Sequence, residues 1–218
     1  IICLGDISGF SVPNYRYFDT RNAHECLKLI RTHCRYIVLG NHDLNAARKI
    51  PEYCAGFEYP ADWYTMDYHS RKEYSQGKVW LYDHDELDPL YTHDDIAFLS
   101  ELEEIQVLEV DKRSIFFSHY VYPNLSGSLC EFFHFGSDYK RHFDFVRHHK
   151  CDLSFCGHAH SGGLFVAEEH KIRQIGFRRR YEPKGMANIV IPSVAGNQIG
   201  NGFCIFDTAA NCVRAMRI

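Results

Sequence analysis

The sequence lacks the long apolar runs and the catalytic signatures that mark several large protein classes. No segment approaches the roughly 18 consecutive apolar residues of a membrane-spanning helix. There is no GxSxG elbow, no GxxxxGKS/T phosphate-binding loop, no HExxH zinc motif and no GxGxxG after an apolar run. These absences argue against the enzyme classes that those motifs define, and no membrane association is predicted.

Cysteine pairs with the spacing of a redox or zinc site are also lacking. The nine cysteines lie at positions 3, 26, 34, 54, 130, 151, 156, 204 and 212. Their odd number and the absence of a CxxC pair favour reduced thiols over a disulfide framework. A cytoplasmic location is therefore predicted.

An excess of positive charge is lacking too, since the net charge is −4. Proteins hold nucleic-acid phosphates mainly with Lys and Arg, so general affinity for nucleic acid is not favoured. One basic patch departs from this pattern and contains Lys171, Arg173, Arg178, Arg179, Arg180 and Lys184. Within it, Arg178, Arg179 and Arg180 are candidates for binding an extra phosphate or a polynucleotide. A solvated loop or strand edge is the simpler alternative.

The length and composition are those of one compact domain spanning residues 1–218. The chain is 45% hydrophobic and 24% charged, as expected of a globular protein. A single α/β domain reaches 218 residues without division.

Four short apolar runs are each followed by Asp, Asn or His. The runs cover residues 1–4, 36–39, 114–117 and 153–156. Runs of this length predict buried strands, and α/β sheets bind ligands beyond the carboxyl ends of their strands. The polar residues that follow the runs are Gly5-Asp6, Gly40-Asn41-His42-Asp43, Ser118-His119 and Gly157-His158-Ala159-His160.

These residue types suit a pair of divalent metal ions. Two ions about 3.5 to 4 Å apart stabilise both the attacking and the leaving oxygen of a displacement at phosphorus. Asp6 is the carboxylate at these strand ends that could bridge them. Neutral side chains complete the shells without repelling a phosphate, and they are supplied by Asn41, His119, His158 and His160. If Ala159 continues an extended backbone, both rings of the GHAH motif point to one side.

The order GD, GNHD, SH and GHAH resembles the calcineurin-like metallophosphoesterase superfamily. The resemblance implies an α/β fold arranged as a four-layer α/β/β/α sandwich. It also implies one ion held by Asp6, Asn41, His119 and His158, and another held by Asp6 and His160. By the same resemblance, His42 would act on the phosphate oxygens or protonate the leaving group, and Asp43 would hydrogen-bond the His42 ring.

The activity implied by the resemblance is hydrolysis of a phosphate ester by a metal-bridging hydroxide. The cofactors would be two divalent ions, with Mn, Fe, Zn, Ni and Co all compatible with oxygen and nitrogen ligands. Phosphatase and phosphodiesterase activities both remain open. The partner expected is a phosphoester substrate, and the sequence gives no oligomeric state.

Two alternatives remain. A nuclease or cyclic-nucleotide phosphodiesterase would use the arginine patch. A catalytically inactive scaffold would resemble the retromer subunit with a phosphoesterase fold. One departure from the superfamily's motif pattern favours this alternative. The superfamily opens with an Asp-x-His pair, which no residue before Asp6 supplies, so we expect a first strand and helix to precede Ile1. Asp67-Tyr68-His69 matches the Asp-x-His motif, but no apolar run precedes it, and we interpret it as ordinary loop.

Helices are expected over residues 23–30, 94–103 and 138–149, with Thr92 capping the second and Asp95 completing a capping box. Residues 196–202 are predicted to form a turn before a strand at 203–206. The aromatic segment 44–91 lies at the rim of the site, where its side chains could stack on a base or form a satellite core. The sequence does not separate these alternatives, and the satellite core is the simpler one.

Overall fold

The chain adopts a mixed α/β fold, as predicted. The computed structural model describes residues 1–13, 18–133, 136–196 and 200–218. Residues 197–199 of the predicted turn lie outside the described residues. None of the helices in the described part of the chain has the length and apolar character needed to cross a membrane.

Five α-helices are present among the described residues, and two short 3₁₀ turns accompany them at Phe18–Thr20 and Gly136–Tyr139. The helices are α1 (Ala23–His33), α2 (Asn41–Ala47), α3 (Tyr68–Ser75), α4 (His93–Glu101) and α5 (Lys140–His148).

Thirteen strands complete the described secondary structure. They are β1 (Ile2–Cys3), β2 (Phe10–Ser11), β3 (Tyr36–Ile37), β4 (Glu86–Leu87), β5 (Ile105–Val110), β6 (Arg113–Ser118), β7 (Leu153–Cys156), β8 (Leu164–Glu168), β9 (Lys171–Ile175), β10 (Arg180–Tyr181), β11 (Ala187–Val190), β12 (Gly202–Asp207) and β13 (Cys212–Arg217).

Local sequence accounts for the helix starts. Thr92 caps α4 by accepting the Asp95 N–H, and the Asp95 carboxylate accepts the Thr92 N–H at 2.9 Å, which is the predicted capping box. Asn22 caps α1 in a similar way by accepting the Glu25 N–H at 3.0 Å. The helix predicted at 138–149 is in fact a 3₁₀ turn followed by α5.

A six-stranded sheet with the order β5-β6-β7-β11-β8-β9 forms the largest layer. Strands β6, β7 and β11 run parallel, with Ile115 opposite Leu153 and Ile189 opposite Phe155. Both faces of these strands are covered, which explains why β7 and β11 are buried at every position.

Alternation along the central strands separates two cores. Ile115, Phe117 and Phe155 face one core, whereas Phe116 faces the other. Successive side chains of a strand point to opposite faces, so the sheet has a layer packed on each side.

The first core joins the six-stranded sheet to the other strands. Leu4 and Val38, next to the parallel pair β1-β3, pack in it together with Val213 and Ala215 of the three-stranded sheet β10-β13-β12. On the outer side of the β1-β3 pair, the helices α1, α2 and α4 share a cluster around Leu39.

Helix α5 packs on the opposite face of the six-stranded sheet, through side chains such as Phe143 and Val146. The layers therefore run helix, sheet, sheet, helix. This arrangement is the four-layer sandwich expected from the sequence.

The aromatic segment 44–91 forms the expected satellite core around Trp63, Val79 and Leu129. It is more regular than its sequence indicates, because it contains α3. Asp67 caps that helix by accepting the N–H groups of His69 and Ser70. The interpretation of Asp67-Tyr68-His69 as loop was therefore wrong in structure, although these residues do lie outside the candidate site.

Candidate metal centre

Side chains from three of the four predicted strand ends meet at one point. Asp6 follows β1, His119 follows β6 and His158 follows β7. One potential ligand atom from each lies within 4.8 Å of the other two. The site therefore lies between the two sheets, at the carboxyl ends of their parallel strands.

His119 is the central group of this cluster. Its Nδ1 lies 2.6 Å from the Leu4 carbonyl oxygen, which can only accept, so Nδ1 carries the proton. Its Nε2 lies 3.0 Å from Asp6 Oδ2 and 3.2 Å from His158 Nδ1. In the neutral ring, Nε2 thus presents a lone pair to a carboxylate. Such a cluster requires a cation, supplied either by a proton or by a metal ion.

Electrostatics keeps Asp6 ionised. Burial alone would raise the pKa of Asp6, but the charges of His119 and His42 outweigh burial and hold it below its ordinary value. Burial likewise opposes protonation of His119, yet the adjacent Asp6 carboxylate raises the pKa of that ring. The centre is therefore built around one anionic carboxylate.

Two buried atoms of the predicted metal ligands have no hydrogen-bond partner among the described residues. They are Asn41 Oδ1 and His158 Nε2. The other end of the Asn41 amide is fixed, because Nδ2 donates to the Tyr82 hydroxyl at 2.7 Å. Buried polar atoms are nearly always paired, and amide oxygen and imidazole nitrogen are both metal ligands. The donor set therefore fits divalent ions.

The backbone around the GHAH motif is sharply bent. His158 and His160 have φ values of 60° and 44°, and the Ala159 N–H donates to the Gly157 carbonyl at 2.7 Å. The extended backbone considered for Ala159 is therefore wrong, and the two rings are not set by strand alternation. His160 is exposed and lies outside the three-residue cluster. Its pKa is lowered, first by desolvation, while the Asp6 charge opposes that effect.

Asp6 also has a left-handed backbone, with φ of 53°. Left-handed geometry at Asp6, His158 and His160 is unfavourable for residues with a Cβ. It concentrates backbone strain at proposed ligands, which is typical of functional sites.

Glycines before the motifs allow the strand ends to approach each other. A Cβ on Gly40 would lie 2.1 Å from Asp6 Oδ1, and one on Gly5 would lie 2.4 Å from the Gly40 nitrogen. Neither distance is compatible with a side chain. The glycine of GD and the glycine of GNHD are thus required by this contact.

Asp43 stabilises the backbone of the site. Contrary to expectation, it makes no hydrogen bond to the His42 ring among the described residues. Its carboxylate accepts the N–H groups of Asp6 at 2.7 Å, Ile7 at 2.9 Å and Gly40 at 3.1 Å. Burial and the nearby Asp6 charge raise the pKa of Asp43 to about 6. The hydrogen bond expected from Asp43 to the His42 ring is therefore not found in the described part of the chain, because both Asp43 carboxylate oxygens accept backbone N–H groups of the two loops.

Glu86 takes the position expected of Asp43. Its Oε2 lies 2.5 Å from His42 Nδ1, and its side chain is 6% exposed. The backbone N–H of His42 donates to Asp6 Oδ1 at 3.1 Å. Burial lowers the pKa of His42, but Asp6 and Glu86 more than compensate and raise it to about 9. Glu86 and Asp6 thus favour the protonated form of His42.

Sequence reasoning missed both Glu86 and Tyr82. Tyr82 holds Asn41, and its ring centroid lies 5.0 Å from that of His42. Glu86 is brought in by the pairing of β4 with β2, a two-stranded sheet. The short β4 has no periodic pattern, so a carboxylate 44 residues from His42 along the chain gave no local signal.

The three predicted arginines do not share one environment. Arg179 and Arg180 line an open groove next to Gly162, whereas Arg178 is not among the residues of its wall. All three side chains are exposed.

Comparison with protein families identifies the fold. The family model described as calcineurin-like phosphoesterase matches residues 1–162, which contain all four strand-end motifs. The chain belongs to the calcineurin-like phosphoesterase family. Members of this family hydrolyse phosphoesters and typically bind divalent metal ions. The superfamily predicted from the sequence is confirmed.

Solved structures agree on the fold of this calcineurin-like phosphoesterase chain. A metallophosphoesterase from Sphaerobacter thermophilus superposes with a TM-score of 0.62 at 17% identity, covering 99% of this chain and 75% of that chain. A hypothetical protein from Pyrococcus horikoshii OT3 has a TM-score of 0.54 at 13% identity, covering 100% of this chain and 73% of that chain. No curated protein matches this sequence.

Proposed function

We propose that this chain hydrolyses phosphate esters with two divalent metal ions. The observation that carries the proposal is the cluster of Asp6 Oδ2, His119 Nε2 and His158 Nδ1. The Leu4 carbonyl fixes the His119 tautomer, so His119 Nε2 and the Asp6 carboxylate face each other as electron-pair donors. A metal ion is the partner that such an arrangement accommodates best.

The residues proposed to hold the ions are Asp6, Asn41, His119, His158 and His160. Divalent ions bound there would supply Lewis-acid stabilisation of the phosphate oxygens and a nucleophile at neutral pH. Mn, Fe, Zn, Ni and Co all suit this mixed oxygen and nitrogen set. Asp6 supplies the anionic charge, and the other four add none.

His42 would act as the general acid. Glu86 holds Nδ1 of the ring, which leaves Nε2 to face the substrate. Glu86 raises the pKa of the ring through its hydrogen bond and its charge, which favours a protonated Nε2 that can donate to the oxygen that leaves phosphorus. Asp43 would act as a positioning residue, because it joins the Asp6 loop to the start of α2.

Two further properties complete the proposal. Residues 1–218 would form one domain, which the continuous core shared by all the main sheets supports. The location would be cytoplasmic, in keeping with nine cysteines that all lie in the described part of the chain and are all free.

The proposal is tested by hydrolysis of p-nitrophenyl phosphate and bis(p-nitrophenyl) phosphate in the presence of Mn²⁺. Asp6→Asn should abolish turnover of whichever ester is cleaved, because the anionic ligand is lost. Asp67→Asn is the matched control, since Asp67 caps α3 away from the site and Asn is an equally good cap. Equal activity of wild type and Asp6→Asn would refute the proposed centre.

A further inference from the structure

An open groove of about 580 Å³ lies beside the loop that follows the GHAH motif. Its wall contains Gly162, Gln174, Ile175, Gly176, Arg179 and Arg180. A volume of this size is within the range of small-molecule sites, roughly 300 to 1,000 Å³. The groove is therefore large enough for a nucleotide-sized group.

The groove lies next to the loop that carries His160, one of the proposed metal ligands. Gly162 follows His160 by two residues, and two residues of chain span at most about 7 Å. The packing of this loop on β9 is tight, because a Cβ on Gly163 would lie 2.4 Å from the Ile175 carbonyl oxygen. With His160 as a metal ligand, as proposed above, a substrate with its reacting phosphate at the metal centre could extend into the groove.

The charge of the groove is not neutralised within the described structure. Arg179 and Arg180 make no ion pair with any described carboxylate. Arg173, two residues before the end of β9, differs in this respect: it contacts both Glu168 carboxylate oxygens at 2.8 Å and lies over the Tyr181 ring. Two guanidinium groups therefore remain available in a protein whose net charge is −4.

The register of β10 adds a further positive charge. Arg180 is directly opposite Arg214 of β13, and directly paired residues project from the same face of a sheet. Tyr181 and Val213, the neighbouring pair, are buried, so the arginine pair lies on the outward face. Like charges in this position are unfavourable unless an anion lies near them.

The opposite side of the groove offers backbone and open space. A Cβ added to Gly176 would meet no atom within 4 Å. Glycine at this position leaves the backbone accessible to a bulky anion such as phosphate. Guanidinium groups bind phosphate through paired N–H donors.

We propose that this groove binds a second phosphate group of the substrate, next to the phosphate that is hydrolysed. The inference rests on the proposed function and names its substrate class: compounds carrying at least two phosphates. The second phosphate would be either the neighbouring phosphate of a nucleic-acid strand or a terminal phosphate of a nucleoside diphosphate. Arg179 and Arg180 supply the recognition, and Arg178 does not.

Three adjacent arginines provide a matched set of variants. Binding of a short fluorescein-labelled phosphorothioate oligothymidylate and of ADP is measured on the Mn²⁺-loaded protein, because the reacting phosphate needs the metal centre, and turnover is followed in the same samples. Arg179→Ala and Arg180→Ala should each weaken binding of at least one probe about 10- to 100-fold, the effect of losing a charged hydrogen bond. Arg178→Ala removes the same charge and should leave affinity unchanged.

The two probes distinguish the sources of the second phosphate. Binding of the oligothymidylate with a steep salt dependence, reduced by about 0.7 in slope for each lost contact, identifies a strand. Binding of ADP alone identifies a small nucleotide. No binding of either probe, or an equal loss in all three variants, would overturn the proposal.

The result is separable from the hydrolysis assay. Binding that depends on Arg179 and Arg180 in a protein without turnover would refute the proposed function and leave the groove intact. Turnover of p-nitrophenyl esters without binding in the groove would refute the second-phosphate site and leave the proposed function standing.

Discussion

Replacing Gly127 with alanine is expected to weaken metal binding while leaving the fold intact. Gly127 has φ of 75° and lies in the turn closed by its N–H to the Asn124 carbonyl at 3.0 Å. A Cβ there would lie 2.5 Å from His158 Nδ1 and 2.6 Å from Cε1. An ordinary contact needs at least 3.4 Å, so the ring must move by about 1 Å.

A movement of this size exceeds what a metal site tolerates. Ligand distances in such sites hold to within about 0.2 Å, so His158 would be lost or badly placed as a ligand. Disturbing even the groups that orient a ligand lowers metal affinity about 10- to 100-fold. We therefore expect the Kd for the ion held by His158 to rise at least about tenfold.

Gly77 provides the control, because it has the same φ of 75° but a Cβ would meet no atom within 4 Å. Alanine in a left-handed conformation costs about 1–2 kcal/mol at either position. Gly77→Ala should share that loss of stability and keep the metal affinity of the wild type.

Metal affinity is measured by calorimetric titration with Mn²⁺, and stability by urea unfolding of the metal-free protein. The reasoning is refuted if Gly127→Ala binds Mn²⁺ as tightly as Gly77→Ala does. It is also refuted if both variants lose affinity equally, since backbone strain alone would then explain the effect.

Three other predictions follow from buried or capping groups. Burial raises the pKa of Glu104 from 4.5 to about 7, so the folded state binds the proton more tightly and stability falls as pH rises through this interval. At about 1.4 kcal/mol per pKa unit, Glu104→Gln should be more stable than the wild type by up to about 3 kcal/mol in urea unfolding at pH 8. The gain should be much smaller at pH 5, and no gain at pH 8 would contradict the prediction. Glu86→Gln should lower kcat for alkyl phosphates by about 100-fold and kcat for p-nitrophenyl esters much less, because only poor leaving groups need the His42 proton. An equal loss of kcat for both substrates would argue against His42 as a general acid. Thr92→Ala should lower the free energy of unfolding by about 1 kcal/mol through loss of the α4 cap, whereas Thr92→Ser keeps the cap and should not. Equal stability of the two variants would show that the cap contributes nothing.

Local patterns predicted the strands, and the family resemblance predicted how they are layered. The apolar runs before Asp6, Asn41, His119 and His158 predicted strands that end at one edge, and the four layers followed from the family resemblance. Strand alternation in β6 then explains why Phe116 and Phe117 belong to different cores. These features depend on residues close together in sequence, so the sequence displays them directly.

Contacts distant in sequence were not predictable. Glu86 replaces Asp43 at the His42 ring because β4 pairs with β2, and two-residue strands have no readable period. The Asp43 carboxylate instead accepts three backbone N–H groups, two of them from residues 36 and 37 positions away along the chain. The left-handed turn at His158, with φ of 60°, is likewise uncommon for a residue with a Cβ, so its residue type does not predict it.

The number of divalent ions bound per chain tests the central claim most directly. The protein is loaded with Mn²⁺, desalted and analysed by elemental mass spectrometry beside Asp6→Asn. The account predicts about two ions per chain in the wild type and a collapse of that number in the variant. No bound ion in either protein would contradict the account and favour a scaffold with the phosphoesterase fold.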